Sequence, residues 1–147
     1  MSVNFYDSVD DKLLKFAVIV AKTNGKWVLC KHKNRDTLEV PGGHREPNEN
    51  IIDTAKRELV EETAAIDFDL KPICVYSVIE KDNFNGKETF GLLCYADIKS
   101  FGEINSEIEK IIITDELPTN WTYPTIQPYL LEELEKRNVI WKSFIKN

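Results

Sequence analysis

An α/β fold, a mixed β-sheet covered on both faces by helices, is what the sequence predicts. Three observations predict it: Asn-Gly pairs at 24–25 and 85–86, each between apolar β-rich runs; a helical repeat of apolar residues over about 50–63; and a second helical repeat near the end.

The first strand is read from about Leu13 to Lys22, a run rich in Val, Ile and Ala. Thr23-Asn24-Gly25 turns it into a second strand, Lys26 to Cys30, because Asn-Gly readily takes the positive φ angles of a tight hairpin. Leu38-Glu39-Val40 is expected as a short strand, stopped where Pro41 removes a ladder donor and Gly42-Gly43 free the backbone. From Asn50 to Thr63, Ile51, Ile52, Ala55 and Leu59 recur at helical spacing, with no internal Gly or Pro and with Asn48 or Asn50 available as a cap. Ile73–Ile79 and Thr89–Tyr95 flank Asn83-Phe84-Asn85-Gly86 as a second hairpin, and Ile108–Thr114 reads as a further strand. A second helix is expected from Thr122 through Lys136, with Pro124 and Pro128 near its first turn and Leu130, Leu131 and Leu134 on one side.

A chain of 147 residues without repeats or a linker-like change of composition reads as one domain over 1–147. Hydrophobic content of 42% beside 30% charged residues excludes a disordered chain, and the longest strongly apolar run, Phe16–Ala21, is too short to span a bilayer. The first residues show no secretory pattern, and Cys30, Cys74 and Cys94 are scattered within apolar segments, which reads as buried free thiols in the cytoplasm. A net charge of −6, with only Lys31-His32-Lys33 and Arg35 as a basic cluster, argues against an extended nucleic-acid groove. A single nucleotide stays compatible, since a metal ion can neutralise its phosphates.

Chemistry concentrates on the first helix. Arg57-Glu58-Leu59-Val60-Glu61-Glu62 sets carboxylates at i, i+3 and i+4, within a sector of about 100° whose centre lies about 90° from the apolar stripe. The acids thus border the buried face. Their mutual repulsion calls for compensation, and clustered hard oxygens suit Mg²⁺ or Mn²⁺. On spacing alone, a solvated acidic face with an Arg57–Glu61 ion pair remains the alternative. Asp82-Asn83-Phe84-Asn85-Gly86 is read as a turn, because a calcium loop in that register would begin at Lys81 and end at Leu92. Phosphate-loop, nucleophile-elbow and zinc-helix motifs are absent from the sequence.

Reading forward, Gly43 is followed by five residues and Glu49, then by seven residues and Arg57-Glu58, aliphatic Leu59, one residue, and Glu61-Glu62. This resembles the Nudix box, G-x5-E-x7-R-E-U-x-E-E-x-G-U, over the 23 residues from Gly43 to Ala65. One position departs: Ala64 stands where the pattern has glycine, before Ala65 as the aliphatic residue, which puts the exit geometry of the helix in question.

The resemblance implies a Nudix-like α/β/α sandwich with a central mixed sheet and two main helices. It also implies hydrolysis of a nucleoside diphosphate linked to another group X, with Mg²⁺ or Mn²⁺ as cofactor. Carried over residue by residue, Glu58, Glu61, Glu62 and the carbonyl of Gly42 hold the ions, Glu58 and Glu61 act in catalysis with Arg57, and Glu49 braces the loop. The general base is taken first as a box glutamate, with Glu88, Glu107 and Glu109 as candidates outside it. A nucleotide-binding sensor that has lost the chemistry is the competing reading, and erosion of the paired glutamates, its usual sign, is absent. Trp27, Phe84, Phe90, Tyr95, Trp121 and Tyr123 are candidates to stack on a base, and His44 to touch substrate. A homodimer is open, and the sequence does not reveal it.

Overall fold

A computed structural model of the chain describes residues 2–79, 86–104 and 108–140. Along them run β1 (Ser2–Tyr6), β2 (Leu14–Thr23), β3 (Lys26–His32), β4 (Gly42–His44), α1 (Ile51–Thr63), β5 (Ala65–Ile79), β6 (Glu88–Phe101), β7 (Ile108–Thr114) and α2 (Gln127–Lys136). The strands form one sheet in the order β1-β5-β6-β2-β3-β7, with β4 paired to β2. β2 and β6 run parallel at its centre and every other pair is antiparallel, so the sheet is mixed as expected.

Side chains alternate across this sheet. Ile19 and Ala21 of β2, Val28 of β3 and Leu92 and Cys94 of β6 face Ile51, Ala55 and Leu59 of α1. Their neighbours Val20, Leu29 and Leu93 face Leu130, Leu131 and Leu134 of α2. The period-2 strand pattern therefore supplies two separate cores, and the result is an α/β/α sandwich. All three cysteines are free and buried in it, and burial pushes the Cys74 and Cys94 thiols up to about 11 and 12.

Local chemistry explains the element ends. Asn24 and Gly25 carry φ of 49° and 78° and close the β2–β3 hairpin. Asn50, not Asn48, caps α1 by accepting from Ile52 N at 2.8 Å. The second helix begins at Gln127, later than expected, because Tyr123–Ile126 form a turn closed by Ile126 N and Gln127 N donating to the Tyr123 carbonyl.

Three expectations are corrected. β1, unforeseen, pairs with the end of β5. β5 and β6 extend far beyond the expected 73–79 and 89–95, because Ala65–Pro72 continue pairing with Cys94–Phe101, and Pro72, which lacks an N–H, falls at a register shift. The turn expected at 82–86 lies, apart from Gly86, outside the described residues. In place of a strand over Leu38–Val40, Leu38 and Glu39 make isolated bridges, and the expected loop glycines Gly42 and Gly43 form β4 instead.

That last correction positions the site. One edge of β2 is divided: Phe16–Val18 pair with β4, whereas Ala21–Thr23 pair with β3. Between them Ile19 N donates to the Pro41 carbonyl at 2.9 Å, and Cys30 and Glu39 exchange backbone bonds at 2.8 and 3.1 Å. The sheet forks there, and residues on α1 reach through the fork toward the opposite face.

Candidate active site

α1 lies beside β4, and the closeness has a steric condition: a Cβ on Gly43 would collide with the Glu58 carboxylate. At the far end of α1, Ala64 takes the left-handed conformation a glycine would favour, φ 62° and ψ 24°, with its N–H donating to Val60 O. Gly102 N donates to Ala64 O at 2.7 Å and fixes the exit. The box is thus preserved in geometry despite its departure in sequence.

Arg57 organises the helix face. Its Nε donates to Glu49 Oε2 at 2.7 Å and its Nη2 to Glu49 Oε1 at 3.0 Å, a two-pronged pair, while Nη2 also reaches the His44 carbonyl at 2.9 Å. Nη1 lies 3.2 Å from Glu58 Oε2 and 3.3 Å from Glu61 Oε1. Glu49 additionally accepts from Thr54 Oγ1 at 2.7 Å and Glu46 N at 3.1 Å. These donors, Arg57 first, hold the Glu49 carboxyl down at about 2. Glu49 therefore braces the loop to the helix, as its place in the box implied.

The three carboxylates differ in setting. Glu61 is half-exposed, whereas Glu58 is buried and Glu62 largely so, their side chains 12% and 13% accessible. Glu62 Oε1 accepts from Gly42 N at 2.8 Å, and its Oε2 lies 3.4 Å from His32 Nε2. Burial pushes the Glu62 carboxyl up to about 8, against the Gly42 N–H and helped by the charges of Glu58 and Glu39, and burial likewise raises Glu58. Closely spaced, desolvated acids of this kind favour a cation, and their hard oxygens fit a divalent one. As the side chains stand, Glu58 and Glu61 share Arg57 Nη1 while Glu62 turns to Gly42 N and His32, and no three ligand-type groups among the described residues converge on one point.

Through the fork, Glu62 borders a cleft of about 400 Å³ on the α2 side of the sheet. Phe16 and Val18 of β2, Tyr76 and Val78 of β5 and Leu130 of α2 form its apolar part, while His32, Arg35, Glu39 and Gln127 supply polar groups. His32 Nε2 is 2.5 Å from Glu39 Oε1, Arg35 Nη1 is 3.2 Å from Glu39 Oε2, and the Arg35 guanidinium stands 6.0 Å from the Tyr123 ring centre. His44 lines the cleft too and meets Phe16 edge-on.

The structure brings together Gly42, Glu49, Arg57, Glu58, Glu61 and Glu62. It does not bring Glu88: that carboxylate is held by Ser77 Oγ and Tyr6 Oη at 2.5 and 2.6 Å and fastens β1 to the sheet. Glu107 and the side chain of Glu109 lie outside the described residues, as does Phe84. Of the stacking candidates, Trp27 is core, Phe90 packs with Tyr6, Tyr95 and Trp121 pack on the α2-side core, and Tyr123 stands at the cleft, 42% exposed. His32, Glu39 and Gln127 were not singled out from sequence as site residues. The one signal was a Glu between Leu38 and Val40, an acid inside an apolar stretch.

Fold, box and cleft together define a hydrolase of phosphate anhydrides. The NUDIX domain family matches residues 12–111. YtkD of Bacillus subtilis, provisionally named an 8-oxo-dGTP diphosphatase, is 30% identical over 122 residues, 82% of this chain and 74% of that protein. The Bacillus subtilis pyrophosphohydrolase BsRppH, solved as a point mutant, superposes with a TM-score of 0.72 at 26% identity, covering 92% of this chain and 90% of its own. A NUDIX hydrolase from Nitrosomonas europaea shares the fold, with a TM-score of 0.64 at 21% identity over 86% and 89% of the two chains. The chain belongs to the Nudix family. It is a Nudix-type pyrophosphohydrolase, an enzyme acting on acid anhydrides, of a family that uses divalent metal ions.

Proposed function

We propose that residues 1–147 form a single Nudix hydrolase domain that cleaves the diphosphate linkage of a nucleoside diphosphate joined to X, with an ordinary or modified nucleoside triphosphate as the first substrate class. One observation carries the reading: Glu62 borders both the acidic face of α1 and the cleft, so an anhydride beside the acids leaves a base and sugar room in the cleft. The 8-oxo-dGTP named for YtkD supports the same class.

Glu58, Glu61, Glu62 and the Gly42 carbonyl would hold Mg²⁺ or Mn²⁺. What the bound ion supplies is screening of the diphosphate charge and stabilisation of the leaving phosphate. Arg57 aligns Glu58 and Glu61, and a box glutamate takes the proton of the attacking water. The water oxygen bonds to phosphorus as the bridging P–O bond breaks, and the displaced phosphate leaves as the anion. Among the described residues no helix is long and apolar enough to cross a membrane. The buried free thiols support a reducing, cytoplasmic setting.

The test is a hydrolysis screen across nucleoside triphosphates, nucleotide sugars and dinucleotides, with Mg²⁺ and with Mn²⁺, following the release of nucleoside mono- or diphosphate and its co-product by chromatography. Release from triphosphates is expected. No release from any member overturns the enzymatic reading in favour of a nucleotide-binding sensor.

A further inference from the structure

Gln127 is 95% buried by its 5% relative exposure, lines the cleft, and is engaged through only half of its amide. Its Oε1 accepts from Val40 N at 2.9 Å. A backbone N–H can only donate, so the bond fixes which end of the amide is oxygen and leaves the NH₂ turned away from Val40. The Gln127 backbone N–H is engaged as well, with the Tyr123 carbonyl at 3.0 Å. Among the described residues the side-chain NH₂ has no protein partner, yet it is not shut off from solvent. The same cleft is lined by Val18, Tyr76 and Leu130 and by the carboxylates of Glu39 and Glu62, which are taken up by His32, Arg35 and Gly42 N rather than by this NH₂.

A donor held this way is selective. A ligand that displaces water from the cleft must supply an acceptor or leave the NH₂ unsatisfied. Glutamine reads the adenine edge with both halves of its amide, oxygen accepting from N6 and nitrogen donating to N7. Here the oxygen end is turned to Val40 N–H, so the end of the amide left without a partner is the donor. Guanine and uracil carry a ring carbonyl where adenine and cytosine carry an amino group, and an amino group facing the Gln127 NH₂ sets donor against donor.

We infer that Gln127 is a specificity-determining residue that selects nucleotides with a keto-type base over those with an amino-type base. The inference rests on the nucleotide reading above and names the base class within it. Sites that hydrogen-bond a substrate group discriminate well against analogues lacking it, because the protein group is left unpaired.

The experiment compares kcat/KM for GTP, ITP and ATP, and for UTP and CTP, in the native chain and in Gln127→Glu. Metal-free binding of GMP and AMP is measured in parallel. Inosine keeps the carbonyl and lacks the 2-amino group of guanine, so it isolates the contact without any substitution. The native chain is expected to favour GTP and ITP over ATP by tenfold or more, and GMP over AMP in the same sense. Gln127→Glu keeps an oxygen for Val40 N–H and turns the free donor into an acceptor, and it is expected to reduce the GTP/ATP ratio at least tenfold. Equal handling of ITP and ATP by the native chain overturns the inference, as does a ratio unchanged in a folded Gln127→Glu, while the nucleotide reading stands. Failure to hydrolyse any nucleotide overturns that reading itself, and this inference with it.

Discussion

Ala64 shows how a residue-level conflict is resolved. Its left-handed backbone strains a residue with a Cβ by about 1–2 kcal/mol. Glycine would relieve that, but it adds about 0.4–1 kcal/mol of unfolded-chain freedom and removes a buried methyl worth about 0.8 kcal/mol. The terms nearly cancel. Ala64→Gly is therefore expected to leave the urea unfolding free energy within about 0.5 kcal/mol of the native value and turnover unchanged; a gain or loss above about 1.5 kcal/mol would contradict the balance. Glu49 makes a pH prediction. Its carboxyl titrates at about 2 in the folded chain against an ordinary 4.5, so its stabilisation is fully present above 4.5 and is lost as pH falls toward about 2. Glu49→Gln should be less stable at neutral pH and show a shallower loss across that window; parallel acid curves would contradict the assignment. Spacing along α1 made the clustering of Glu58, Glu61, Glu62 and Arg57 legible in the sequence, because a helix converts sequence offset into direction. His32, Glu39 and Gln127 were not legible, because tertiary contacts place them: His32 meets Glu39 on a separate segment and Glu62 on α1, and Gln127 meets Val40, 87 residues back.

At the scale of elements, α1 was readable because propensity and apolar stripe agree, up to the choice of cap between Asn48 and Asn50, which the structure gives to Asn50. The segment 38–44 was not. Its fate follows from competition for one edge of β2, which β3 and β4 share, and no local pattern in 38–44 records that division. The two glycines of β4 separate stability from chemistry. A Cβ at Gly42 would meet the Ala17 carbonyl at 2.7 Å, backbone that cannot yield, whereas at Gly43 it would meet the end of the Glu58 side chain, which can move. Gly42→Ala is expected to cost about 1–3 kcal/mol in a denaturation curve. Gly43→Ala should stay closer to native stability and lose tenfold or more in turnover, because Glu58 is displaced. Native turnover in Gly43→Ala would show that the position of Glu58 does not matter.

For the whole molecule, a contiguous 23-residue box carried the reaction class, while the cleft draws on β2, β3, β5, α2 and the segments between them, so the substrate was not written in any one stretch. The sandwich was legible because strand alternation and two separated amphipathic helices leave few other ways to bury both faces. The proposed function depends on joining the acidic face of one layer to the cleft of the other through the fork. The most direct measurement is turnover of a nucleoside triphosphate with saturating Mg²⁺ in Glu61→Gln and Glu62→Gln, alongside circular dichroism of each variant. A loss of about 10² or more in both, with native spectra, is predicted. Near-native turnover in the two folded variants would contradict a catalytic role for this helix.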